Sequence, residues 1–304
     1  MNLIEKKSIL ERETFENIKG SKAHNTLRAY KSDFDDFRNF CKIYNFISMP
    51  ANTKTVSMYL THLSKKAKYS TIKRRLAAIK VIHNISNNYI DIKHPIINEN
   101  LIGIKRKIGI FQKGKTPLTL MNLKKIVYEI DKENNNNKIR DKAIILLGFA
   151  GAFRRSELVS ILYEDLDFVE EGVKIFIRKS KTDQSGEGMI KAIPYFSNKE
   201  LCPVFAIKEW IDSLDKIRNN KFVFNMSDKN VALIIKKYTA KIGLDSSQFA
   251  GHSLRSGFAT VTAEMGAEER EIMSMTGHKS VQMVRRYIHN SNLFKNNALN
   301  KLKL

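Results

Sequence analysis

The sequence predicts a mainly α-helical protein of two domains, with a small β-sheet in the second. Three observations carry this. Apolar residues recur at helical spacing through most of the first hundred positions, a basic stretch from Ile104 to Thr119 interrupts that period, and two-residue alternation then follows around 173–178 and 189–195. With 304 residues, 42% hydrophobic content and 17 Phe, the chain has the material for two cores.

From Asn25 to Tyr44, the residues Leu27, Tyr30, Phe34, Phe37, Phe40 and Tyr44 fall on one helical face, with Asn25 placed as N-cap. The pattern repeats over Thr53–Ser64 and Ser70–Asn84. In the latter, Ile72, Leu76, Ile79 and Ile82 turn inward, with Lys73, Arg74, Arg75 and Lys80 outward or flanking. Residues 1–104 are therefore expected to form a helical domain whose basic face, Lys73, Arg74 and Arg75, either contacts phosphate or is simply solvated. Residues 105–116, with Lys105, Arg106, Lys107 and two Gly ahead of Pro117, are expected to be a basic linker that also touches phosphate. The second domain, 117–290, opens with helices over Thr119–Asp131 and up to about Gly151, separated by a polar Asn-rich loop. Val173, Ile175 and Ile177 alternate with Lys174, Phe176 and Arg178, and a second alternating stretch runs from Met189 to Tyr195, predicting a β-hairpin across 179–188. Helical patterns return around Trp210, 234–242, 253–265, 268–275 and 280–290. The tail 291–304, with Leu293, Phe294, Leu299 and Leu302, either docks on another copy or folds back on its own domain.

The 53 Lys+Arg against 31 Asp+Glu give a formal charge of +22, which favours a polyanionic partner, nucleic acid ahead of an anionic membrane or an idle basic surface. The longest apolar run, Ala143–Phe153, is too short to span a bilayer, and the first residues lack a signal-peptide pattern. A soluble, cytoplasmic, nucleoid-associated protein is expected, and the richness in Asn, Lys and Ile suggests an AT-rich bacterial genome. Cys41 and Cys202 are too isolated for a disulfide framework or zinc site and are expected as buried thiols.

Chemistry concentrates in three segments. Gly151-Ala-Phe-Arg-Arg-Ser-Glu-Leu158 places Arg154 at a turn among apolar neighbours, where it needs an anion, either Glu157 or an external phosphate. Gly251-His-Ser-Leu-Arg255 sets His252 and Arg255 on one face of a helix's first turn. Thr276-Gly-His-Lys-Ser280 leads to Tyr287 in Val-Arg-Arg-Tyr-Ile-His. Two Arg, two His and a Tyr could converge on one phosphate. His252 and His278 lack a third ligand at metal spacing.

Arg-x-x-Glu-Leu, His-x-Leu-Arg, Gly-His and a final Tyr, in this order, resemble the tyrosine recombinase (phage integrase) family. The resemblance covers about 117–290, and the spacings, 23 residues from Arg255 to His278 and 9 on to Tyr287, also agree. It implies a C-shaped clamp on duplex DNA, made of a helical core-binding domain and a mixed α+β catalytic domain. It further implies a homotetramer on paired sites, a covalent 3′-phosphotyrosyl intermediate on Tyr287, and no metal, cofactor or ATP. Accessory proteins that bend DNA or set direction are a further implied partner class.

In this reading Arg154 and Arg255 bind the phosphate as planar forks. His278 donates to it, and His252 donates or accepts the Tyr287 proton, a division left open. Glu157 orients its neighbours. The family's hairpin lysine falls on Lys181, with Lys179, Lys174 and Lys191 nearby, and would protonate the departing 5′ oxygen. Two departures stand out: Arg155 follows the first Arg and either touches phosphate or meets solvent, and Ser256-Gly257 follows the second. The rival readings are a type IB topoisomerase and a catalytically silent DNA-binding protein.

Overall fold

The computed structural model describes residues 3–111, 114–135, 137–180, 183, 186–214, 221–278, 280–291 and 298–302. The chain forms two compact units, Met1–Lys113 and Gly114–Leu304.

The first unit contains α1 (Leu3–Gly20), α2 (His24–Ile43), α3 (Thr53–Ser64), α4 (Tyr69–Ile85) and α5 (Pro95–Ile108). The faces marked by apolar spacing are the buried ones. Phe34, Phe37 and Phe40 of α2 join Tyr59, Leu60 and Leu63 of α3, Ile72 and Ile79 of α4, and Ile97, Leu101 and Ile104 of α5 in one core. Asn52 caps α3, its side chain accepting from the Thr55 N–H at 2.7 Å. His83 is fully buried in α4; its Nε2 accepts the Ala51 N–H at 3.0 Å while Nδ1 lies 2.8 Å from the Ile79 carbonyl.

Four features differ from expectation. Helix α2 is capped two residues early, by Ala23, and Asn25 instead accepts from Arg28 at 3.0 Å. Lys105, Arg106 and Lys107 belong to the last turn of α5, because Ile97, Leu101 and Ile104 carry an apolar face through to Gly109, whose φ of 71° ends the helix. Helix α1 was not foreseen, and Leu10, Phe15 and Ile18 on it are largely exposed, so no buried face marks it in the sequence. Finally, Arg74 and Arg75 are not a free outward pair. Arg74 binds Asp33 at 2.6 Å, and Arg75, only 20% exposed, binds Asp36, Asp33 and the Tyr59 hydroxyl. Asp33 and Asp36 on the adjacent helix capture both guanidiniums; Lys73 stays exposed.

The second unit contains α6 (Leu120–Asp131), α7 (Asn137–Ala150), α8 (Arg155–Val159), β1 (Leu166–Val169), β2 (Gly172–Ile177), β3 (Met189–Pro194), α9 (Pro203–Asp212), α10 (Asp228–Lys241), α11 (His252–Glu264), α12 (Glu269–Thr276) and α13 (Val281–Ser291). Every residue of α7 from Ala143 to Ala150 is buried, as an all-round apolar helix must be, so α7 forms the centre of this core. The expected hairpin is β2 and β3, antiparallel, with Val173 opposite Ile193, Ile175 opposite Lys191 and Ile177 opposite Met189. Strand β1 adds an unforeseen third member at the edge of β2; its four residues are too few for alternation to register. Both cysteines are buried and free. Among the described residues no helix is long and apolar enough to cross a membrane. Of the tail, Leu293 and Phe294 lie outside the described residues, and Leu299 and Leu302 are exposed.

Candidate active site

The site is built around the turn that follows α7. Gly151 packs so closely on the Phe153 ring that a Cβ there would lie 2.1 Å from it. Ala152 takes a φ of 48°, a left-handed conformation that costs a residue with a side chain roughly 1–2 kcal/mol. Two buried cations hold the turn's carbonyls. The Lys191 ammonium donates to the Gly151 carbonyl at 2.6 Å, and Arg255 Nη1 donates to the Ala152 carbonyl at 2.9 Å. The turn delivers Arg154 to the N-cap of α8. There its backbone N–H donates to Glu157 Oε2 at 2.9 Å and its Nη1 to Glu157 Oε1 at 2.5 Å. The salt bridge considered from sequence is therefore present, yet the Arg154 side chain also lines an open cavity of 620 Å³.

The same cavity is lined by Arg155, His252, Arg255 and His278. Helix α11 supplies two of these, His252 as its first residue and Arg255 one turn on, as the spacing predicts. Arg255 is 2% exposed, and its guanidinium is pulled down to about 10 by burial and then by Arg154. Helix α12 ends in Gly277 at φ 59°, which reverses the chain and introduces His278, itself 9% exposed. Burial, and after it Arg255 and Arg154, push His278 down to about 4; the same causes lower His252. Both rings are therefore neutral at neutral pH. Among the described residues, Arg255 Nη2 and His278 Nδ1 are buried side-chain nitrogens without a hydrogen-bond partner, and such groups are rare unless a ligand completes them.

Tyr287 rides on α13, which Val284 anchors against Ala259 and Ala263 of α11 and Ile272 of α12. Its Oη lies 3.3 Å from His252 Nε2, and its ring stacks on His278 with centroids 6.3 Å apart. Burial raises the phenol's pKa, against which Arg255 and Arg286 act.

Of the predicted site residues, Arg154, Glu157, His252, Arg255, His278 and Tyr287 come together in one unit. Arg155 joins them at the rim, paired with Asp228 at 3.6 Å. Lys181 lies outside the described residues. Further along the β2–β3 connection, the Asp183 carboxylate accepts the N–H groups of Gly186, Glu187 and Gly188. Lys73 and the α5 basic run belong to the other unit.

Sequence reasoning named Lys191 only as a neighbour of Lys181; it is 2% exposed, stands 4.5 Å over the Phe153 ring, and has its ammonium lowered to about 7 by burial, with Glu157 opposing. The signal was in the alternation itself, since Met189, Lys191 and Ile193 share the inward face of β3. Among the described residues, no group of three or more His, Cys, Asp or Glu could hold a metal ion.

The chain is similar to known proteins over most of its length. The phage integrase family matches residues 117–293, and the phage integrase N-terminal SAM-like domain matches residues 15–85. The chain is 42% identical to an integrase/recombinase xerD homolog of Selenomonas ruminantium over 94% of its own length and 87% of that protein's. It is 29% identical to the tyrosine recombinase XerC of Thermodesulfovibrio yellowstonii, over 89% and 87% of the two chains. Among solved structures, the XerH site-specific recombinase bound to a palindromic difH substrate shares the fold, with TM-score 0.66, 18% identity, and 87% and 76% of the chains covered. A lambda integrase dimer bound to a core site aligns with TM-score 0.58, 17% identity, and 92% and 94% covered.

Proposed function

The chain belongs to the phage integrase family of tyrosine recombinases, and on that premise we propose that Tyr287 cuts and rejoins DNA strands at a specific site through a covalent bond to a phosphate. The observation that carries this reading is the 3.3 Å approach of the Tyr287 hydroxyl to a neutral His252 that lines a cavity together with Arg154, Arg155 and Arg255. A phenol with a raised pKa is a poor nucleophile until a base takes its proton, and His252 Nε2 is placed to do so.

In the proposed cleavage step, Tyr287 Oη attacks phosphorus, its proton passes to His252, the P–O5′ bond breaks, and Lys181 protonates the 5′ oxygen. Charge building on the non-bridging oxygens is met by Arg154, Arg255 and the neutral His278 as donors. Arg255 Nη2 and His278 Nδ1, the two unpartnered buried nitrogens of this site, are the groups most in need of those oxygens. The phosphotyrosyl ester keeps the energy of the broken bond, so a 5′ hydroxyl from a second duplex reverses the step with a new partner and no ATP. Tyr287 stands beside His252 of its own chain, which supports attack in cis. A homotetramer on two DNA sites, with Lys73, Lys105, Arg106, Lys107 and Arg155 on phosphates, completes the proposal.

The test uses nicked duplexes drawn from a random-sequence pool by binding to the Tyr287→Phe protein. Wild type with a chelator present should form a protein–DNA adduct that survives denaturation, and Tyr287→Phe should form none while binding the same duplex. Binding without any adduct from wild type would overturn the reading in favour of a silent DNA-binding protein. Relaxation of supercoils on every bound site without exchange between duplexes would instead point to a type IB topoisomerase.

A further inference from the structure

The strand reaction as proposed leaves one buried, titratable group beside the cavity without a task. Lys191 sits on the inward face of β3, opposite Ile175, with 2% of its surface exposed. A lysine is seldom buried this far unless paired, and a scaffold that needed only volume there would carry a Leu or Met. Its ammonium is aimed at one acceptor, the Gly151 carbonyl at 2.6 Å, with the Phe153 ring beneath it.

That acceptor is one residue before Ala152, whose φ of 48° makes this turn the strained link between α7 and Arg154. The Ala152 carbonyl is held in turn by Arg255. Two consecutive carbonyls are thus tied from β3 and from α11, with only Phe153 between them and Arg154, which lines the cavity.

We propose that Lys191 is a positioning residue for strand cleavage, fastening the Gly151–Phe153 turn so that Arg154 is presented to the phosphate beside Arg255. This rests on the recombinase reading of the site. The charged groups acting on Lys191 are Glu157 of α8, Arg154 at its cap and Arg255 of α11, and the Lys191 charge in turn reaches His278 after α12. Glu157 is the one anion among them, so the cationic form of Lys191 adds positive charge to the wall that receives the phosphate. Its ammonium titrates near pH 7.

The experiment compares wild type, Lys191→Met and Lys191→Arg in the full chain, on a nicked duplex selected by binding from a random-sequence pool. Adduct formation is followed at saturating protein between pH 6 and 9, alongside duplex affinity and thermal unfolding. Lys191→Met, which keeps the volume, should bind DNA as wild type does and unfold no lower, yet cleave about 10²-fold more slowly, the loss expected from a displaced phosphate ligand. Lys191→Arg should recover most of the rate. It should also hold that rate to higher pH than wild type, because its charge persists where the lysine's is lost.

Wild-type rates in Lys191→Met would overturn the proposal. So would a loss matched by a lower unfolding temperature, or an Arg variant no faster than Met with an unchanged pH profile. An absent adduct in wild type would remove the recombinase reading and this proposal with it, which separates the two failures.

Discussion

Lys191 also has a thermodynamic signature. Its folded pKa of about 7 lies below the ordinary 10.5, so between those values the unfolded chain binds more protons than the folded one. Stability should therefore rise with pH across roughly 7 to 10.5 on this group's account. At pH 7 and below, burying the charge withholds on the order of 4–5 kcal/mol, at 1.36 kcal/mol per unit. Replacing the charge by Met removes that cost along with one hydrogen bond and the attraction to Glu157. We expect Lys191→Met to be more stable than wild type by about 1–3 kcal/mol at pH 7, to lose that advantage as the pH rises and to fall below wild type before pH 10, measured by urea titration at each pH. A Met variant less stable than wild type at pH 7 would contradict this.

At the level of elements, the hairpin from β2 to β3 is where local order and reaction meet. Asp183, two residues after Lys181 in the chain, gathers three successive N–H groups, at 2.9, 3.2 and 2.8 Å. Asp183→Ala should leave those donors to solvent and loosen the loop at a cost of about 1–3 kcal/mol. The expected result is a slower adduct with unchanged duplex affinity, and a 5′-thiolated substrate, whose leaving group needs no proton, should restore the rate. Elements with a buried face were legible beforehand. Thr53–Ser64 matches the bounds its apolar spacing predicted, with Val56, Leu60 and Leu63 lining one side and Asn52 adding a cap. Strand β1, helix α1 and the true end of α5 were not, since four residues cannot show a period, an exposed helix has no stripe, and a basic composition masks a helix whose inward face is still Ile and Leu.

Across the whole molecule, the +22 charge is spread over both units, and phosphate neutralisation should dominate affinity. Binding of a selected duplex by Tyr287→Phe should weaken roughly 10³-fold or more between 50 and 200 mM salt, read by anisotropy. A loss under tenfold would mean that few of these charges meet the backbone. Composition gave this partner class, and the ordered motifs gave the residues that gather at the cavity. Composition misjudged Arg74 and Arg75, because a charge on a helix surface is free only if no carboxylate waits on the neighbouring helix, and Asp33 and Asp36 do. Tertiary pairing of that kind has no one-dimensional signature.

The strained turn between α7 and α8 has a genetic consequence. Gly151 has no room for a Cβ, Ala152 sits where only glycine and asparagine rest easily, and the two side chains that secure the pair come from 40 and 103 residues further along the chain. A screen for lost recombination should therefore return alleles at 151, 152 and 191 about as readily as at 154 and 287. The protein presents a mutational target wider than the set of side chains that meet the phosphate, and a lineage that let Ala152 drift would be expected to accept Gly or Asn first.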